Sequence, residues 1–189
     1  MAPGIAAPAN TLRGVKRRPA LLAALLAGLL TAAGLLSACS SPPSAPYSSA
    51  SVLQSNGSSK TVQLTLVGAE NGSLAGFNFD GYGYGQMTVR VPVGWTVDVT
   101  CSNNSTALSH SCAIVEPEPL APSGAALAFP GAVSANAASG LVYGQTSAFS
   151  FVASKVGRYR IACLVLGHET DGMWDWFIVT SAGSPSVSF

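Results

Sequence analysis

Apolar and polar residues alternate with a period of two in three well-separated stretches of the chain. Val62, Leu64 and Leu66 interleave with Thr61, Gln63 and Thr65; Val97, Val99 and Cys101 with Thr96, Asp98 and Thr100; Tyr159, Ile161 and Cys163 with Arg158 and Arg160. Successive side chains of a strand point to opposite faces, so each stretch reads as a strand with one face buried. Less regular runs at Ser73–Phe79, Gln86–Val91, His110–Val115, Ser147–Val152 and Trp174–Thr180 predict further strands. Gly81-Tyr82-Gly83-Tyr84-Gly85 and Val91-Pro92-Val93-Gly94 supply turn chemistry between them. Beyond the N-terminal apolar run no stretch holds a helical period, and about eight short strands separated by turns predict an all-β sandwich or barrel. One connection breaks the rhythm. Glu116 to Gly140 is long, rich in Pro, Ala and Gly, and without a strand pattern; it suits a cover for a site, a partner surface, or a plain exposed insertion equally well.

The first 39 residues read as an address. Arg13, Lys16, Arg17 and Arg18 precede an apolar run from Pro19 to Leu36, the layout of a secretory signal. The run closes on Leu36-Ser37-Ala38-Cys39, a lipobox pattern that predicts lipidation of Cys39. An uncleaved membrane helix is the alternative, and either device leaves the remainder outside the cytoplasm and close to a membrane. Residues 40–60 are rich in Ser and Pro and predict a flexible tether, 61–180 a single domain, and 181–189 a C-terminal tail. The whole chain has a formal net charge of +1, yet beyond Cys39 five cations (Lys60, Arg90, Lys155, Arg158, Arg160) face all eight carboxylates. A weakly acidic, sparsely charged domain excludes a nucleic-acid-binding surface. So few titrating carboxylates are consistent with an acidic exterior.

Chemistry concentrates at one stretch. Cys163, His168 and Met173 place a thiol, an imidazole and a thioether at five-residue intervals directly after a predicted strand, and only one other histidine, His110, exists to join them. Alone, each residue has an ordinary reading as a core side chain or structural thiol. Together, two imidazoles, one thiolate and a weak axial thioether form the trigonal set of blue copper sites. A cysteine hydrolase would leave Met173 without a role, zinc does not favour thioether, and the C-x-x-C-H of a c-type haem is absent. Two histidines in all are too few for the further copper centres of a multicopper enzyme. Of the remaining cysteines, Cys101 and Cys112 share the inward parity of strands flanking one loop in an exported chain, which predicts a disulfide over two separate buried thiols. Leu164, Val165, Leu166 and Trp174 are expected to crowd the loop and exclude water.

The Cys-x4-His-x4-Met loop, the separate upstream histidine and the all-β pattern resemble the cupredoxins. Phe77-Asn78-Phe79-Asp80-Gly81, Gly85-Gln86-Met87-Thr88-Val89, Val91-Pro92-Val93-Gly94-Trp95 and Gly172-Met173-Trp174 resemble the sulfocyanins specifically, while the rusticyanins share the loop spacing. The resemblance implies a Greek-key β-sandwich over residues 61–180. It also implies one copper held by His110, Cys163 and His168 with Met173 axial. The function implied is electron carriage rather than catalysis, in an extracytoplasmic respiratory chain, often of an acidophile. Partners would be redox proteins such as cytochromes or a terminal oxidase, docking transiently on a lipid-anchored monomer. Two features depart from the family: Cys101 and Cys112 stand where it usually shows large apolar residues, and the anchor reads as a lipobox rather than a membrane helix. A copper-binding chaperone and a structural immunoglobulin-like lipoprotein are the competing readings.

Overall fold

The computed structural model describes residues 48–118, 120 and 125–189. The signal segment, Cys39 and the first part of the tether lie outside the described residues, among which no helix is long and apolar enough to cross a membrane.

In chain order the elements are α1 (Ser49–Val52), β1 (Leu53–Asn56), β2 (Thr61–Gly68), a 3₁₀ segment (Glu70–Gly76), β3 (Thr88–Pro92), β4 (Thr96–Asn103), β5 (Ala113–Val115), β6 (Thr146–Val152), β7 (Gly157–Ala162), β8 (Trp174–Thr180) and β9 (Ser186–Ser188). They form two sheets, ordered β1-β2-β4-β6 and β5-β7-β8-β3-β9. The pairs β2–β4 and β3–β8 are parallel and the rest antiparallel. The period-two stretches behave as their pattern dictates: Val62, Leu64 and Leu66 lie in register with Val97, Val99 and Cys101, and all six are buried against the facing sheet. From that sheet Tyr159, Ile161, Phe177 and Val179 complete the core. The all-β sandwich is therefore as expected.

Four boundaries differ from the sequence reading. The tether was expected to run to residue 60, but Val52 is buried in the core and β1 pairs with β2, Leu53 opposite Leu64. The ordered domain thus begins near Ser48. An edge strand exposes most of its side chains, so the polar Gln54, Ser55 and Asn56 are tolerated there and hide the strand from a pattern search. The expected C-terminal tail likewise contributes β9, which pairs with β3. Ser73–Phe79 is not a strand but lies mostly within the 3₁₀ segment, with left-handed backbone at Asn71, Leu74 and Ala75. Asn78 ties this segment down: its Oδ1 accepts from the amides of Glu70 and Gly81, both at 2.9 Å, and its Nδ2 donates to the Ser73 carbonyl at 2.7 Å. The strand expected over His110–Val115 contracts to β5, and His110 sits in an isolated bridge with Leu141.

The long connection is no plain insertion. Its described residues run beside β5, with bridges Val115–Leu127 and Ala113–Val133, and they send Phe129 and Ala132 into the core. They also roof a small cluster of Ala113, Val115 and Ala162 on the outer face of the second sheet. The expected disulfide is present: Cys101 at the end of β4 is bonded to Cys112 just before β5, across a Cα–Cα distance of 5.9 Å.

Candidate metal centre

His110 is held by the backbone on both sides. Asn103, the last residue of β4, donates its amide to the carbonyls of Leu108 and Leu141, each at 2.8 Å. His110 and Leu141 exchange two backbone hydrogen bonds, at 3.1 and 2.7 Å. Cys163 follows β7, and its amide donates to the Met173 carbonyl at 3.2 Å, so the two ends of the ligand loop are pinned together. Within the loop the His168 amide reaches Val165 O at 3.1 Å and the Met173 amide reaches His168 O at 2.9 Å. The loop closes through Gly172, whose φ of +101° lies in the left-handed region and whose Cα the Tyr84 ring covers so closely that a Cβ would fall 2.2 Å from it. This strand-end architecture brings residues far apart in sequence to one pole of the sandwich.

There the ligating atoms of His110, Cys163 and His168 lie within 4.8 Å of one another. The two Nδ1 atoms are 3.2 Å apart, and Cys163 Sγ is 3.4 Å from His168 Nδ1. Bonds of about 2.0 Å to nitrogen and about 2.3 Å to sulfur at roughly tetrahedral angles would separate two nitrogens by about 3.3 Å and nitrogen from sulfur by about 3.5 Å. Those two spacings fit one first-row transition-metal ion, and the third donor pair lies inside the same 4.8 Å. Met173 is fully buried, and its methyl group shares a wall with His110: a Cβ added to Gly68 would meet His110 Cβ at 3.0 Å and Met173 Cε at 3.3 Å.

Burial dominates the electrostatics. Loss of hydration, and secondarily the His168 charge, lowers His110 to about 4. His168 is also lowered by burial, with Asp171 opposing. Burial pushes the Cys163 thiol up, while the amides of Ser111 and Val165 pull it down. Both imidazoles thus present neutral lone pairs, and a bound cation would take the place of the thiol proton. The Ser111 amide donates to Cys163 Sγ at 3.3 Å, and Ser111 Oγ accepts from the Leu164 amide at 2.9 Å while lying 3.7 Å from the same sulfur.

His110, Cys163 and His168 thus meet at this pole, with Met173 buried beside His110, and His168 is the most exposed of the four at 8%. The expected crowding is only partly there. Leu164, Val165 and Trp174 are half-buried, but Leu166 is 73% exposed. Instead Phe77 packs edge-on against the His168 ring, with centroids 5.0 Å apart. Phe77, Ser111, Asn103 and Gly68 escaped the sequence reading. Only Ser111 carried a usable signal, its place directly after a proposed ligand.

Comparison with known proteins agrees with this geometry. The Sulfocyanin (SoxE) domain model matches residues 48–187, including β1 and the first two residues of β9, which the pattern missed. The sulfocyanin of Sulfolobus acidocaldarius is 31% identical over 137 residues, covering 68% of this chain; the chain spans 64% of that relative's length. A crystal structure of variant rusticyanin superposes with a TM-score of 0.51 at 21% identity, covering 68% of this chain and 86% of that one, which supports the cupredoxin fold.

Proposed function

Because this chain belongs to the sulfocyanin family, we propose that it is a type 1 copper protein that carries single electrons and catalyses no reaction of its own. The observation that carries this reading is the convergence of His110, Cys163 and His168, with ligating atoms within 4.8 Å, at a buried pole that also contains Met173. Two imidazoles, a thiolate and a weak axial thioether are the donors that suit copper over zinc or a harder ion. His110 and His168 would bind through Nδ1, Cys163 through Sγ and Met173 through its thioether. The chemistry supplied by the ion is a one-electron cycle between Cu(II) and Cu(I).

The chain's own residues set the terms of that cycle. Buried Cys163 and Met173 keep water from the centre, and the Ser111 amide withdraws electron density from the thiolate, which favours the reduced state. Strand ends, the pinned loop and the Cys101–Cys112 bridge hold the donors so that little moves when the charge changes. His168 retains the most exposure and marks the edge where electrons enter and leave, beside Phe77, Val165 and the exposed Leu166. Partners docking there would be redox proteins such as cytochromes or a terminal oxidase, in small transient contacts. A disulfide persists in oxidising compartments, which together with the signal pattern supports an extracytoplasmic location, anchored through Cys39.

The test is spectroscopic. Protein loaded with Cu(II) should show the intense visible absorption of a copper–thiolate bond and lose it on addition of one electron equivalent of ascorbate. A loaded protein without that absorption, or one that ascorbate does not bleach, would refute the assignment.

A further inference from the structure

Arg160 and Glu169 form a buried ion pair that ligand binding does not use. Arg160 projects from β7 onto the outer face of its sheet, under the long connection, and the two side chains are 2% and 1% exposed. Its Nε donates to Glu169 Oε1 at 2.9 Å and its Nη2 lies 2.7 Å from the same oxygen. Nη1 donates to the Pro117 carbonyl at the start of the long connection. The guanidinium also lies 5.9 Å from the Trp174 ring centroid. Glu169 directly follows His168, and its carbonyl receives the Gly172 amide at 3.2 Å. One side chain therefore fastens three pieces together: a core strand, the roof, and the turn between His168 and Met173.

Placing two charges in the interior is costly, and apolar pairs of the same volume often stabilise a fold as well. Stability alone does not explain the pair, but its position does. The backbone bonds inside the ligand loop set its curl, the Tyr84 amide holds the Gly172 carbonyl at 2.8 Å, and the Glu169 carboxylate ties the same turn to β7 through Arg160. Building on the copper reading of the site, we propose that Arg160 and Glu169 are positioning residues that hold the His168–Met173 turn in its ligating arrangement before any ion arrives.

The test uses metal-free full-length protein, in which the buried Cys163 thiol and the loop amides report local opening. The double variant Arg160→Met with Glu169→Leu replaces the pair by apolar side chains. Its melting temperature should stay near that of the wild type. Iodoacetamide alkylation of Cys163 and hydrogen exchange at the Gly172 and Met173 amides should accelerate by about tenfold or more, with exchange in β2 and β4 unchanged. After loading, loss of copper to a chelator should quicken in step. Wild-type alkylation and exchange rates in the double variant would overturn the proposal. So would acceleration spread evenly over all strands with a matching fall in melting temperature, since that marks a purely structural pair. If the double variant does not fold, Glu169→Gln decides: it keeps an acceptor for Arg160, so a smaller loop-confined acceleration supports the proposal and wild-type rates overturn it. A wild-type protein that fails the ascorbate test would sink the copper assignment alone, because the metal-free rates need no ion.

Discussion

Cys163 and Met173 are both fully buried, yet their side chains do different work. The pairing of β7 with β8 runs through the backbone, so Cys163→Ser should leave the metal-free fold intact by circular dichroism while abolishing the visible absorption of loaded protein. Retained absorption would show that the thiolate is not a ligand. Met173→Leu is close to volume-conserving, a class of core swap that usually costs less than about 1.5 kcal/mol. On the proposed ligation it removes a thioether donor that would stabilise Cu(II), so the reduction potential should rise while colour persists. A potential that stayed level or fell would speak against axial ligation. The two histidines differ in access rather than in chemistry, at 1% exposure for His110 and 8% for His168, which is why electron exchange is placed at the latter.

At the scale of elements, the Cys101–Cys112 bridge joins the end of β4 to the segment that carries His110. Its partners are 11 residues apart, a closed loop for which chain entropy gives roughly 3 kcal/mol. The variant Cys101→Ala/Cys112→Ala should therefore melt lower by about 10 °C, a shift expected of a domain this size, while retaining its copper absorption. An unchanged melting temperature would mean that the bridge adds nothing the sandwich does not already hold. What was legible in the chain follows from the same elements. β2, β4 and β7 face the core on one side, so alternation announced them, and the ligand loop announced itself because its donors are local in sequence. β1 and β9 are short edge strands with one apolar residue each, Leu53 and Val187, too few for a period to show. Phe77 and Phe79 imitate alternation, but Asn78 between them is spent on satisfying turn amides, so no strand forms there. Asn103 and the Arg160–Glu169 pair were invisible because their partners are supplied by strand register and loop packing, across separations that a local pattern does not span.

For the whole molecule, stability against pH is set by buried carboxyls as much as by the site. Asp80 fastens the segment after the 3₁₀ turn to the end of β2: its amide donates to Val67 O at 2.8 Å and its Oδ1 accepts from the Val67 amide at 3.2 Å. Burial, followed by the nearby Glu70 charge, raises its pKa from 3.8 to about 7. Asp175, whose Oδ1 accepts from the Met87 amide, is raised to about 8, again chiefly by burial. Below pH 3.8 the folded and unfolded chains both hold the Asp80 proton and the fold bears no penalty. As the pH climbs towards 7 the unfolded chain releases that proton and the folded one does not, so stability declines, by roughly 4 kcal/mol over the window. His110 acts in the opposite sense in metal-free protein: lowered to about 4, it stays neutral where the unfolded chain is protonated, so its contribution is lost as the pH falls below 6.5. A raw melting profile would blend the two, and the informative quantity is the difference between the wild type and Asp80→Asn, which keeps an acceptor for the Val67 amide but cannot ionise. That difference should move steadily against the wild type from pH 4 to pH 7 and level off above it. A difference independent of pH, or one that favoured the wild type more as the pH rose, would show that Asp80 ionises normally inside the fold and that the acid-favoured stability of this sandwich has another source.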